Sequence, residues 1–150
     1  MKIKKLIEKY KYQFLIFISF IISLFFNALV VQDYDGIKKF SGFELFLSGF
    51  FAFFGGGLLE TFIWLANPLA LCSLLLSKNH PKIGILLAMI SFGIAISFTS
   101  FSEILVSENG RNGEIIQIDT SYWIWILSII LLIIYNIWNL IKILKQKKIS

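Results

Sequence analysis

Phe14-Leu-Ile-Phe-Ile-Ser-Phe-Ile-Ile-Ser-Leu-Phe-Phe-Asn-Ala-Leu-Val-Val31, followed by Gln32-Asp-Tyr-Asp-Gly36, is the stretch on which the fold turns. Eighteen uncharged residues extend about 27 Å as a helix, close to the thickness of a bilayer's hydrocarbon core. The run is longer than a signal-peptide core and no small-x-small cleavage site follows it, so it reads as an uncleaved first span. Ser19, Ser23 and Asn27 recur on it at i, i+4 and i+8, a polar stripe expected to face the interior of a helix bundle. Gln32 to Gly36 reads as a turn by composition.

Working outward, three more apolar runs follow at Leu58–Leu76, Ile83–Phe101 and Tyr122–Leu140. The charges between them alternate. Five lysines up to Lys11, then Lys78 and Lys82, then four from Lys142 onward fall in alternate segments, which with Glu8 carry +10. The other segments hold Lys38, Lys39 and Arg111 against eight acids, or −5. Cytoplasmic loops keep Lys and Arg, so the expectation is an all-α membrane protein of four transmembrane helices (14–31, 58–76, 83–101 and 122–140). Both termini are then cytoplasmic, and residues 1–150 form a single domain in a bacterial inner membrane. Bases placed beside spans suit anionic lipid headgroups rather than nucleic acid, which needs a contiguous basic patch with polar readers. A composition 57% hydrophobic and only 15% charged agrees, since a soluble domain is about 25% charged. At the N-terminus Ile3, Leu6, Ile7 and Tyr10 share a helical face suited to the inner leaflet.

Two outer elements are expected. Ser41-Gly-Phe-Glu44 is a capping box that opens a Phe-rich helix over about 42–54, too short to span and ended by Gly55-Gly-Gly57, hence interfacial. In the outer loop 103–119, Asn109-Gly110 and Asn112-Gly113 between apolar triplets signal a small β-hairpin.

The polar residues inside the spans are the candidate site. Glu60, Trp64 and Asn67 lie on one helical face, and Pro68 leaves the carbonyl of Trp64 without its usual donor. The face is either a ligand or ion site or a kink held by interhelical hydrogen bonds, and the kink is the expected reading. Gly84, Ala88, Ser91 and Ala95 form a small-residue seam for close helix approach, with a water-lined path past Ser91 as its functional alternative. Tyr122, Trp123 and Trp125 at one end of the last span, and Tyr135 and Trp138 at the other, read as interfacial belts. Cys72 is the single cysteine and reads as a packing residue. His80 is the single histidine and reads as a solvated turn residue, so no metal set, cofactor or catalytic constellation is implied.

The order Gly42-Phe-Glu44, Phe62-Ile-Trp-Leu-Ala-Asn-Pro68 and Tyr122-Trp-Ile-Trp125 resembles a loose group of small bacterial inner-membrane proteins of uncharacterised function. These carry a similar Trp-Leu-Ala-Asn-Pro element in the second span and a Tyr-x-Trp start to the last. The likeness covers roughly residues 42–135, and Trp64–Pro68 is its specific part. It implies a bacterial origin and the four-span plan, and it transfers no functional residue. The expected function is non-enzymatic: helix or outer-loop contacts, as an accessory subunit of an envelope complex, with a homo-oligomer or another membrane protein as partner. The alternatives are a small transporter or channel subunit using the Glu60–Trp64–Asn67 face, and a membrane immunity protein against a toxin.

Overall fold

The computed structural model describes residues 2–107 and 110–149, with side chains for 10–107 and 110–148. Asn109 of the expected hairpin turn, and the Ile3, Leu6 and Ile7 face, lie outside the described residues and side chains. The elements are α1 (Lys2–Ser23), β1 (Asn27–Asp33), β2 (Gly36–Ser41), α2 (Gly42–Phe51), α3 (Leu58–Trp64), α4 (Ala66–Leu76), α5 (Pro81–Ser97), β3 (Glu103–Leu105), β4 (Asn112–Ile118) and α6 (Thr120–Ile149). Short 3-10 turns extend α2 over Ala52–Gly55 and α5 over Phe98–Ser100.

The chain is therefore mixed α/β, and the all-α expectation is wrong. The error lies in the run Phe14–Val31. Helix α1 stops at Ser23, and its apolar part, Tyr10–Ser23, is about 21 Å long, short of a hydrocarbon core. Among the described residues three helical stretches, not four, are long and apolar enough to cross a membrane: Leu58–Leu76, Pro81–Ser100 and Thr120–Lys148. Beyond Ser23 the chain turns through Leu24–Phe26 and becomes a strand in which Leu29, Val31 and Asp33 alternate inward. Period-two burial and the paired valines favour a pleated strand, but a hydropathy reading sees one continuous apolar run. Asn27 accordingly leaves the Ser19–Ser23 stripe and stands exposed at the start of β1.

The four strands form one antiparallel sheet in the order β2-β1-β4-β3. Tyr34-Asp35 joins β1 to β2, and Gly36 follows at φ +120°, where a side chain would be strained. β1 also pairs with β4, setting Leu29 opposite Ile118 and Val31 opposite Ile115. β3 pairs with β4 across the loop read as a hairpin. The inward side of the sheet (Ala28, Leu29, Val31 and Ile104) packs on Ala66, Ala95, Phe98, Tyr122, Ile126 and Ile129. These come from the start of α4, the end of α5 and the start of α6, so the sheet covers one end of the helices.

At the tip of the sheet the Asp33 side chain is fully buried. Its carboxylate accepts Lys38 Nζ at 2.6 Å, Arg111 Nη2 at 2.9 Å and the backbone N–H of Tyr34 at 2.7 Å. Arg111 also reaches Asp35 at 3.2 Å, joining the β1–β2 turn to the chain just before β4. The hydrogen bond from Lys38, aided by the Tyr34 amide and the Arg111 charge, holds the Asp33 carboxyl below the usual carboxylate range.

The opposite end is basic. Gln13 Nε2 donates to Leu74 O at 2.9 Å and Ser77 Oγ at 3.0 Å, which sets the lysine-bearing start of α1 beside the α4–α5 turn. Lys78 Nζ lies 3.5 Å from the Tyr10 ring and Lys142 Nζ 3.6 Å from the Trp138 ring. Between the ends, Gly84, Ala88, Ser91 and Ala95 are buried as a seam along α5. Ser73 Oγ donates to Gly84 O at 2.7 Å, and Asn136 Nδ2 donates to Ser73 Oγ at 3.0 Å and Leu132 O at 2.9 Å. Tyr122 OH donates to Ala95 O at 2.6 Å. Cys72, expected to pack, is exposed.

A β-carbon at Gly84 would collide with the Asn136 side-chain oxygen, whereas one at Gly93 meets nothing within 4 Å. Gly84→Ala should therefore cost about 1–3 kcal/mol through overpacking, while Gly93→Ala gains about 0.5–1 kcal/mol from helix propensity. Thermal unfolding of both variants in detergent checks this, and a Gly84→Ala protein as stable as the parent contradicts the packing. For Asp33, a lowered folded pKa means stability that is present above its unfolded value and lost as pH falls through the folded one. Amide exchange at Tyr34 should accelerate below about pH 4, starting from an ordinary Asp pKa near 3.9, and in Asp33→Asn that acid limb should disappear.

Candidate functional site

Pro68 has no N–H, so the carbonyl of Trp64 loses the donor that an uninterrupted helix would supply. The second span breaks there into α3 and α4, with Leu65 between them. Asn67 closes the gap: its Nδ2 donates to Trp64 O at 3.0 Å, and its Oδ1 accepts from Trp125 Nε1 at 3.0 Å. The amide thus repairs the backbone on one side and ties the break to α6 on the other. Ser91 Oγ donates to Ala66 O at 2.7 Å and is fully buried, so it braces the same joint from α5 and lines no water path.

Trp64 has a different task. Its Nε1 donates to Phe46 O at 2.9 Å, and its ring lies 5.1 Å from that of Phe50. A β-carbon at Gly49 would come within 3.0 Å of it, so glycine lets α2 lie close against α3. The capping box that starts α2 is formed, with Glu44 accepting from Ser41 N at 2.7 Å and Ser41 Oγ accepting from Glu44 N at 3.2 Å. Those bonds from Ser41 lower the Glu44 pKa. The rest of the α2 surface and the turn after it are apolar and exposed, with Phe43, Leu47, Phe51, Phe53 and Phe54 outward.

Glu60 makes its hydrogen bond with neither Asn67 nor Trp64. Its Oε1 accepts the N–H of Leu105 at 2.7 Å, fastening the first turn of α3 to strand β3. The face expected from sequence is therefore divided among three tasks: Glu60 holds the sheet, Trp64 docks α2 and Asn67 with Pro68 forms the joint. Ser19 and Ser23 bond carbonyls of their own helix, Ile16 O and Phe20 O, and Ser23 is buried.

These three attachments enclose a feature that the sequence does not announce. A cavity of about 1000 Å³ lies between α2, α3, the inner side of the sheet and the start of α6. Its walls are mainly Phe, Leu, Ile and Trp, and Ser23, Glu60, Trp64 and Asn67 all border it. A smaller pocket of about 230 Å³, walled in part by Gly57, Glu103 and Asn112, shares Glu60, Ile104 and Leu105 with it. Both volumes fall within or near the range of about 300–1,000 Å³ usual for small-molecule sites. Only the α3 face could have pointed here from sequence, since the other walls come from residues far apart in the chain. Among the described residues no three His, Cys, Asp or Glu side chains converge as a metal site requires.

Comparison of the chain with protein-family models, curated proteins and solved structures finds no match. The functional reading therefore rests on geometry.

The Asn67–Pro68 account makes a specific demand. Asn67→Ala orphans both Trp64 O and Trp125 Nε1, at a cost of about 1–3 kcal/mol. Pro68→Ala restores a backbone N–H at the break, so the double variant should recover part of that loss. The coupling should be about 0.6–1.7 kcal/mol by a double-mutant cycle of unfolding in mixed micelles. Strict additivity means that Asn67 does not serve the break.

Proposed function

We propose that the chain is a non-enzymatic protein of the bacterial cytoplasmic membrane that presents its sheet at the outer surface as a contact platform, serving as an accessory subunit of an envelope complex. The observation that carries this reading is the pairing of β1 with β4 over one end of three span-length helices, with Lys78, Lys82 and the lysines from Lys142 onward at the other end. By the retention of Lys and Arg in the cytoplasm, the α4–α5 turn and the end of α6 face inward. Helix α1, whose Gln13 bonds Leu74 O and Ser77 Oγ, starts on that same side and shares its crossing with the strand that follows it. Each lysine near an anionic leaflet adds about 1 kcal/mol of attraction there. The sheet then lies outside, and its stapled tip makes it a fixed surface rather than a loose loop. Tyr34, Ile37 and Ile116 stand exposed on it at 91%, 65% and 53%, the amphipathic and apolar groups that anchor protein contacts. The exposed phenylalanines of α2 suit the headgroup boundary, where an amphipathic helix lies flat.

The transporter reading stands second: Glu60, Trp64 and Asn67 border one cavity, but the hydrogen bonds of Glu60 and Asn67 go to different elements. The likeness carried by Trp64–Pro68 agrees with a bacterial membrane setting and adds no activity.

Single cysteines in a Cys72→Ser background test the arrangement. With a membrane-impermeant maleimide on intact spheroplasts, Asp35→Cys and Asn112→Cys should label, and Asn79→Cys and Lys145→Cys should label only after permeabilisation. Labelling of residue 79 from outside ends the proposal. A photo-crosslinking residue in place of Tyr34 should then capture an envelope protein in intact cells, and one in place of Lys145 should not capture the same protein. Equal capture from both positions removes the platform role.

A further inference from the structure

The cavity under the sheet has a form that calls for an occupant. Its walls are mostly apolar and suit a hydrocarbon chain over most of their extent, with the polar groups, Glu60 and Asn67 among them, confined to a minor part. A void of about 1000 Å³ beside a bilayer forfeits the contacts that close packing supplies. Its rim includes Phe51 and Phe54, which are 58% and 83% exposed on the same apolar surface that α2 turns outward. The cavity is thus continuous with the region where lipid chains lie. At the sheet side it meets the smaller pocket, and the two share Glu60. That smaller pocket also contains Glu103, whose carboxylate accepts from Asn112 Nδ2 at 3.1 Å. Neither lining includes a lysine, arginine or histidine, and no basic side chain pairs with Glu60 or Glu103 among the described residues. Two carboxylates without a basic partner, Glu60 on both pockets and Glu103 on the smaller one, beside a mainly apolar cavity describe the complement of an amphiphile with a cationic head.

We propose that the cavity holds one chain of a bilayer phospholipid whose head group carries a primary ammonium, of the phosphatidylethanolamine type, with the ammonium between Glu60 and Glu103. The chain fills the space between α2, α3 and the sheet, and the head lies beside β3. A lipid seated in this way packs under both the contact platform and the Trp64 dock of α2. The inference rests on the membrane placement proposed above.

Tryptophan quenching by brominated acyl chains separates the two ideas. One variant keeps Trp64 alone, in the cavity wall, and another keeps Trp123 alone, which is 50% exposed, with the remaining tryptophans changed to Phe in each. Each is reconstituted in phosphatidylcholine vesicles containing brominated phosphatidylethanolamine or brominated phosphatidylglycerol. Trp64 should be quenched at a several-fold lower mole fraction of the ethanolamine lipid than of the glycerol lipid, while Trp123 responds equally to both as a reporter of surrounding lipid. Glu60→Gln combined with Glu103→Gln should equalise the two lipids at Trp64 without altering Trp123. Ala52→Phe, which adds a ring at the cavity wall, should remove the preferential quenching even if the head site persists. If Trp123 is quenched but Trp64 responds equally to both lipids, the lipid site is refuted and the membrane placement stands. If neither tryptophan is quenched, the membrane placement fails and the lipid site with it.

Discussion

Everything above the helices depends on the backbone of residues 27–33 finding hydrogen-bond partners. A strand that issues from an apolar helix has no internal partners for its N–H and C=O groups, and hydrocarbon supplies none. β1 meets this requirement by lying between β2 and β4, so both of its edges are paired. The same pairing places Leu29 and Val31 against the ends of α4, α5 and α6 and brings Arg111 to Asp33. One ladder therefore fixes the sheet, orients the helices beneath it and leaves the space that becomes the cavity.

That space persists because the surrounding elements are held apart by specific bonds rather than drawn together by a common core. Glu60 attaches α3 to β3, Trp64 attaches α2 to α3, and Asn67 attaches the break in the span to Trp125 on α6. Each is a directional bond of near-ideal length, and such bonds tolerate little sliding. Collapse of the cavity would strain these bonds and leave a buried polar group without its partner.

The sequence made part of this legible. The second and third apolar runs are helices within a few residues of their expected ends, and the last starts two residues early and runs on to Ile149, because helical length and charge placement mark all three. The capping box at Ser41 and Glu44 and the small-residue seam on α5 were readable for the same reason, as local patterns with local causes. The run Phe14–Val31 misled because helix and strand are equally apolar there, and composition cannot separate them. Only Leu29, Val31 and Asp33 alternating inward, with the turn at Tyr34-Asp35, distinguish the strand, and that alternation has meaning only once β4 is known to lie beside it. Of the candidate site, the break at Pro68 and its repair by Asn67 were legible. The separation of Glu60 from that face was not, since its partner is a backbone amide 45 residues away.

The order of synthesis adds a demand of its own. Leu29 pairs with Ile118, so the inner strand of the sheet emerges well before the strand that completes it. At about 5–20 residues per second the wait is several seconds, during which β1 and β2 form at most a two-stranded hairpin, a marginal structure alone. The exposed edge of β1, with its buried-facing Leu29 and Val31, must be kept from pairing with other chains until helices α2 to α5 have been made. A slow, non-local closure of this kind makes assembly sensitive to how quickly the middle helices take their places. Two copies whose hairpins meet before β4 arrives would exchange strands instead.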